Sequence, residues 1–311
     1  MTRSVTVLTN PHAGGGHPHE VAAAATARLR ERGLEITSIE GRSASDALQL
    51  ARDAVAAGTD ALVAVGGDGL INIAWQALAG TGVPLGIIPG GTGNDHARLF
   101  HIPVDDPVAA ADVVVDGQVA DIDLGRVTQG SADEHWFGTV LASGFDSLVT
   151  DRANRMRWPR GPMRYNLAMV AELASLRAIP YRITLDDRTL ELDAAMVSVG
   201  NGTSYGGGML IAPSASLTDG QLDVIVVSPG SRLKLARLFP TVYKGTHVDL
   251  DEVQVFRSRR VRLEAPAPGR SAGSAPAGIT AYADGERIAP LPIDIEAVPG
   301  AGRVIVGAPV G

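Results

Sequence analysis

Within residues 4–100, three apolar runs each end in glycine and lead straight into helix-forming sequence. This repeat constrains the fold more than any other feature. The sharpest case is Val63-Ala64-Val65-Gly66-Gly67-Asp68-Gly69-Leu70. A Val-rich run of this length reads as a buried parallel strand. The glycines let the chain turn and let its backbone approach a ligand, and Ile71–Leu78 reads as the helix that follows. Ser4–Thr9, the loop Asn10-Pro11-His12-Ala13-Gly14-Gly15-Gly16 and an Ala-rich helix over 20–32 repeat the unit. Leu85–Pro89, Gly90-Gly91-Thr92-Gly93-Asn94-Asp95 and a helix over 96–100 repeat it again. With a strand over 35–39, a helix over 44–57 and another over 107–116, the alternation predicts a parallel sheet with right-handed crossovers. Ligands of such sheets lie outside the carboxyl ends of the strands, where these turns gather.

A glycine turn at a helix N-terminus suits an anion, although the loop over 10–16 reads equally as a connector. The spacing matches neither the dinucleotide fingerprint nor the P-loop, and no Lys or Arg lies in the three turns. Asp68 and Asp95 are odd neighbours for a phosphate unless they hold a cation. The residue types therefore point to a nucleotide with a divalent metal held by Asp68 and Asp95.

After a strand over 118–125 the pattern changes to short, partly alternating runs with turn signals between them, including 135–140, 181–185, 194–199, 222–227 and 261–264. These predict an antiparallel sandwich, so the fold class is α/β plus all-β: a three-layer α/β domain, then a β-sandwich. Helices are expected over 165–177 and 232–242, and 265–278 reads as a Pro/Gly/Ser-rich insertion.

With no cysteine, disulfides, thiolate metal sites and a Cys nucleophile are excluded. A net charge of −7 argues against general nucleic-acid binding. No run is long enough to span a membrane, and the start lacks a signal-peptide shape, which gives the expectation of a cytoplasmic or peripheral protein. In this acidic chain Arg152, Arg155, Arg157, Arg160 and Arg164 cluster around Trp158. The cluster reads either as a solvated face or as a contact with anionic lipid at a membrane's inner face. The seven histidines show no HExxH spacing, and no G-x-S-x-G elbow is present. Asp219-Gly220 and Asp284-Gly285-Glu286 read as hairpin turns, or as carboxylates at strand ends able to accept a proton from a hydroxyl.

Taken in order, Asn10-Pro-x-Ala-Gly14, Gly66-Gly-Asp-Gly69, Gly91-Thr-Gly-Asn-Asp95, Asp123-Leu-Gly, Gly206-Gly-Gly208, Asp219-Gly-x-Leu-Asp223 and Asp284-Gly-Glu286 resemble the bacterial diacylglycerol kinase family over nearly the whole chain. That family is related to sphingosine kinases and, more distantly, to NAD kinases and phosphofructokinases. The resemblance implies an ATP-binding domain over 1–125, to which a last strand within 296–311 returns, and a lipid-binding sandwich over 126–295. It implies ATP on Asn10, Pro11, Ala13, Gly14, Gly66, Gly67, Asp68, Gly69, Leu70, Asn72, Gly91, Thr92, Gly93 and Asn94. A catalytic magnesium is implied on Asp68, Asp95 and Asp123 through water, and a structural one on the Asp219 carboxylate and the backbone carbonyls of Ser216 and Gln221. Glu286 matches the general base, with Asp284 beside it. The activity implied is transfer of the γ-phosphate of ATP to a lipid hydroxyl, diacylglycerol giving phosphatidic acid, and a homodimer is compatible with it. Kinase action on a sphingoid lipid or a soluble NAD-like or sugar-like alcohol, and nucleotide binding without turnover, stand as alternatives. Three positions depart from the family pattern: Leu70 stands for the usual Thr, Ile73 for Glu and His96 for Phe.

Overall fold

The computed structural model describes residues 4–9, 18–130, 133–144, 152, 156, 178–230, 240–265 and 279–308. The first half alternates β1 (Ser4–Thr9), α1 (Pro18–Glu31), β2 (Glu35–Glu40), α2 (Ala44–Ala56), β3 (Ala61–Gly66), α3 (Asp68–Leu78), β4 (Leu85–Pro89), α4 (Asp95–Leu99) and α5 (Pro107–Asp116). Local signals set these bounds. Ser43 Oγ accepts the Asp46 N–H at the start of α2, and Asp106 accepts two N–H groups at the start of α5, where Pro107 needs no partner. Helix α3 starts at Asp68, earlier than the apolar pattern suggests, because an acidic side chain is well placed in a helix's first turn. Strands β2-β1-β3-β4 pair in parallel in that order. Helices α1 and α5 pack together on one face and α2 and α3 on the other. The core between them is aliphatic, with Trp75 and Phe100 as its large fully buried aromatics.

The second half is antiparallel: β5 (Gln118–Gln129), β6 (Asp133–Phe137), β7 (Val140–Gly144), β8 (Ile179–Thr184), β9 (Thr189–Ala194), β10 (Met196–Gly200), β11 (Leu222–Val227), β12 (Val253–Ser258), β13 (Arg260–Glu264), β14 (Thr280–Ala283), β15 (Glu286–Pro290) and β16 (Ile293–Val306). Six strands form one sheet in the order β12-β11-β10-β7-β14-β15. The other sheet of the sandwich is continuous with the parallel sheet, giving β2-β1-β3-β4-β16-β13-β8-β9, with β5 on β16 and β6 on β5. The 14-residue β16 makes this continuity. Its first half pairs antiparallel with β13, its end runs parallel to β4 at Val304↔Leu85, and β5 follows it nearly throughout. Position 125 therefore falls inside β5, and the returning strand begins at Ile293. The parallel sheet expected from the sequence is one half of a mixed sheet. The sandwich core is a second apolar cluster, including Phe137, Leu141, Ile183, Val224, Leu263 and Ile295.

Candidate active site

Two glycine turns meet first. A Cβ on Gly91 would lie 2.5 Å from Gly67 Cα, so these turns cross backbone against backbone and only glycine fits. Gly90 N–H donates to Gly66 O at 2.9 Å. Asn94, in the left-handed region at φ 52°, closes the second turn: its amide accepts from Gly91 N–H and donates to Gly91 O, both at 3.0 Å. The glycines thus have a packing reason for their identity besides access for a ligand. Thr92 is exposed at the turn's tip.

Asp68 opens α3 and Asp95 opens α4. Asp68 Oδ2 and Asp95 Oδ2 lie 2.9 and 3.3 Å from the point where a Cβ on Gly93 would sit. Gly93 therefore leaves a side-chain-free space faced by two carboxylate oxygens at two helix N-termini. The buried Asp95 accepts from Gly207 and Gly208 N–H at 2.8–2.9 Å. These belong to three successive glycines of positive φ, Gly206–Gly208, which curl their amides around the anion. Burial pushes the Asp95 carboxyl above its ordinary value, Gly207 N–H counters this, and the charge of Asp68 adds to it. Two carboxylates facing one open space fit a magnesium ion that takes its remaining ligands from phosphate and water.

The oxygens of Asp123 accept Gly220 N–H at 2.7 Å and Gly300 N–H at 3.0 Å, holding the loop before β11 against the bulge in β16. Among the described residues no group of three or more His, Cys, Asp or Glu is gathered for a metal.

Asp284 and Glu286 sit on the β14–β15 hairpin, so the turn reading of that motif holds. Asp284 (φ 51°) and Gly285 (φ 83°) form the turn, with positive φ at both central residues. The side chain of Asp284 is fully buried among donors: Asn72 Nδ2 at 3.0 Å, Gly138 N–H at 3.0 Å, Thr139 N–H at 2.9 Å and Thr139 Oγ1 at 2.6 Å. Burial alone would raise its pKa, but the charge of His96 and these hydrogen bonds hold it well below the usual carboxylate range. Two residues on, Glu286 is exposed. Its Oε1 lies 2.9 Å from where a Cβ on Gly69 would stand, at the N-terminus of α3. Surrounding chain pushes its carboxyl pKa up, and the charge of Asp284 adds to this.

His96 ties the arrangement together, and nothing in its spacing announces this. It is fully buried, with Nδ1 3.2 Å from Asp68 Oδ1 and Nε2 3.5 Å from Asp284 Oδ2. Burial depresses the imidazole, but the two carboxylates outweigh it and raise its pKa to about 10. An imidazolium thus links α3 to the hairpin carrying Glu286, and it fixes one oxygen of Asp68 while the other faces Gly93.

Leu70 packs on Gly66 in the core, and Asn72 is buried with its amide on Asp284 and Trp136 O. Ile73 packs against the same core. Ser216, Asp219 and Gln221 lie in the loop before β11, away from the Asp68–Asp95 space. Asn10, Pro11, Ala13, Gly14, Arg155, Arg157, Trp158, Arg160 and Arg164 lie outside the described residues, and Arg152 is exposed. A cavity of about 330 Å³ opens between α1 and the ends of β1–β3, lined by Thr9, His19, Thr26, Arg30, Ser38 and Glu40 among others. Among the described residues no helix is long and apolar enough to cross a membrane.

A parallel α/β sheet sharing its edge with a β-sandwich, with carboxylates of both parts converging on two helix N-termini, defines a two-part nucleotide-enzyme class. Residues 4–127 match the model of the diacylglycerol kinase catalytic domain, and residues 139–306 that of the YegS C-terminal NAD kinase beta sandwich-like domain. A diacylglycerol kinase of Mycobacterium tuberculosis is 52% identical over 302 residues, covering 97% of this chain and 94% of its own. One of Bacillus subtilis is 28% identical, covering 83% and 84%. The crystal structure of a putative diacylglycerol kinase from Bacillus anthracis shares the fold, with a TM-score of 0.78 at 20% identity over 99% of both chains. The chain belongs to the diacylglycerol kinase family and is a lipid kinase, a phosphotransferase.

Proposed function

We propose that the chain transfers the γ-phosphate of ATP to the free hydroxyl of diacylglycerol. Residues 1–125 with the 296–311 segment hold the nucleotide, and 126–295 hold the lipid. The observation that carries this reading is the pair of bare positions, Gly93 faced by Asp68 and Asp95, and Gly69, next to Asp68, faced by Glu286. Glu286 takes the proton from the lipid hydroxyl, its raised pKa matching that role. The freed oxygen bonds to the γ-phosphorus as the bond to the β–γ bridging oxygen breaks, leaving ADP and a phosphate monoester. The N-terminus of α3 faces the phosphates with the positive end of its dipole, and phosphoryl transfer asks for little beyond such positioning and charge stabilisation. A magnesium ion held by Asp68 and Asp95 would neutralise phosphate charge. Asp284, saturated by donors and buried, positions the hairpin. The nucleoside lies in the cavity beside Thr9 and Glu40, where a carboxylate at a strand end suits ribose hydroxyls. The basic stretch from Arg152 to Arg164 meets anionic headgroups.

The test is turnover of labelled ATP with magnesium against separated lipid classes in neutral and anionic vesicles. Diacylglycerol is the expected acceptor, with faster turnover on anionic vesicles. Glu286→Gln should lose about 100-fold or more in kcat with the KM for ATP retained. Full activity of Glu286→Gln would remove the base from this reading, and labelling of another alcohol alone would replace the substrate.

A further inference from the structure

The loop Ser214–Asp223 is where the family resemblance puts a second, structural magnesium, on Ser216, Asp219 and Gln221. The one carboxylate it would need, on Asp219, is already engaged. Arg257 stands on β12 directly opposite Asp223 on β11. Its guanidinium reaches three parts of the loop: Nε donates to Asp223 Oδ1 at 2.9 Å, Nη2 donates to Ser214 O at 2.6 Å, and Nη1 lies 3.5 Å from Asp219 Oδ2. The other Asp219 oxygen accepts Gln221 N–H at 3.0 Å. A divalent ion on Asp219 would sit against a guanidinium already in place, and like charges at that separation repel.

We infer that Arg257 takes the place of the structural metal, so that this loop is organised by a guanidinium and is independent of divalent ions. The geometry suits the substitution. A guanidinium presents five donors in a planar fork, and here the fork joins two carboxylates and a carbonyl from successive turns of one loop. The effect reaches further than the loop. Gly220 N–H and Leu217 O both bond Asp123 on β5, and the second oxygen of Asp123 holds Gly300 in β16. Arg257 therefore steadies the place where the two strands shared by both halves are pinned together. The inference is independent of the kinase reading, because its readout is folding and loop protection, not turnover.

The test is thermal unfolding of the nucleotide-free full chain, followed by circular dichroism with EDTA and then with magnesium restored, together with limited proteolysis of the loop. Wild type is expected to resist cleavage over 214–221 equally in both conditions. Arg257→Gln should unfold about 2–8 °C lower and be cut in the loop, while Arg257→Lys, keeping a cation on the loop, should lose less. A wild-type loop over 214–221 that is cut on chelation and protected again by magnesium would overturn the inference, and this arm needs no variant. So would an Arg257→Gln protein indistinguishable from wild type in EDTA.

Discussion

Replacing Asp284 by Asn isolates the buried ion pair behind the site. The side chain keeps its size, but it loses its charge and one acceptor oxygen among four donors and an imidazolium. His96, fully buried, would then have only Asp68 as a close counter-charge. Leaving one member of a buried pair uncompensated costs about 3–5 kcal/mol. At about 2 °C or less per kcal/mol for a chain of 311 residues, the melting midpoint should fall by roughly 5–10 °C. The difference from wild type should depend on pH in a defined sense. His96 is raised from about 6.5 to about 10 in the folded protein, so its contribution is complete below pH 6.5 and is lost as pH rises through 10. Asp284 is held low, so its contribution is complete above its unfolded value near 4 and is lost in acid. The gap between wild type and Asp284→Asn should therefore be widest at about pH 4–6.5 and close toward pH 10. The difference is the quantity to follow, because burial holds His247 below its ordinary value in both proteins. Differential scanning calorimetry from pH 4 to pH 10 measures it. Midpoints within about 1 °C of each other across that range would mean that the pair does not stabilise the fold.

Two further outcomes bear on the cleft. Gly93→Ala puts a methyl group 2.9 Å from Asp68 Oδ2 and 3.3 Å from Asp95 Oδ2; it should raise the magnesium concentration needed for turnover by about tenfold or more while leaving the melting midpoint within a few degrees, and unchanged magnesium dependence would show that the space is not a cation site. Glu40→Ala should raise the KM for ATP several-fold with little change in kcat, in steady-state kinetics, and an unaltered KM would remove the nucleoside from the cavity beside β1 and β2.

Much of the first half is legible because its signals are local. A Val-rich run stopping at glycine gives β3, and Ser43 and Asp106 mark helix starts by their own side chains. What the sequence hides is pairing at long range. Nothing near Val304 says that its parallel neighbour is Leu85, and nothing near residue 125 says that β5 runs on through a change of architecture. The same holds for the site. Asp68, Asp95, Asp284 and Glu286 stand in recognisable motifs, yet the residue connecting them is His96, whose partner Asp284 is 188 positions away and whose spacing to other histidines carries no signal. Arg257 is legible only through strand register, since Asp223 becomes its neighbour when β11 and β12 pair.

The departures at Leu70 and Ile73 take on a physical meaning in this light. Both positions pack into the apolar core of the first half, Leu70 against Gly66. A polar side chain at the buried Leu70 position would need a partner that this core does not offer. The polar connections of α3 run instead along Asn72 and Gln76, four residues apart and so on one face. Gln76 bonds both backbone groups of Trp136, donating to its carbonyl at 2.7 Å and accepting its N–H at 2.8 Å. Asn72 donates to Asp284, and His96 completes the link from the far side. Helix α3 is therefore joined to the sandwich through an amide, an amide and an imidazolium. These hold the hairpin of Glu286 against Gly69 without the threonine and glutamate that the family pattern places in this helix.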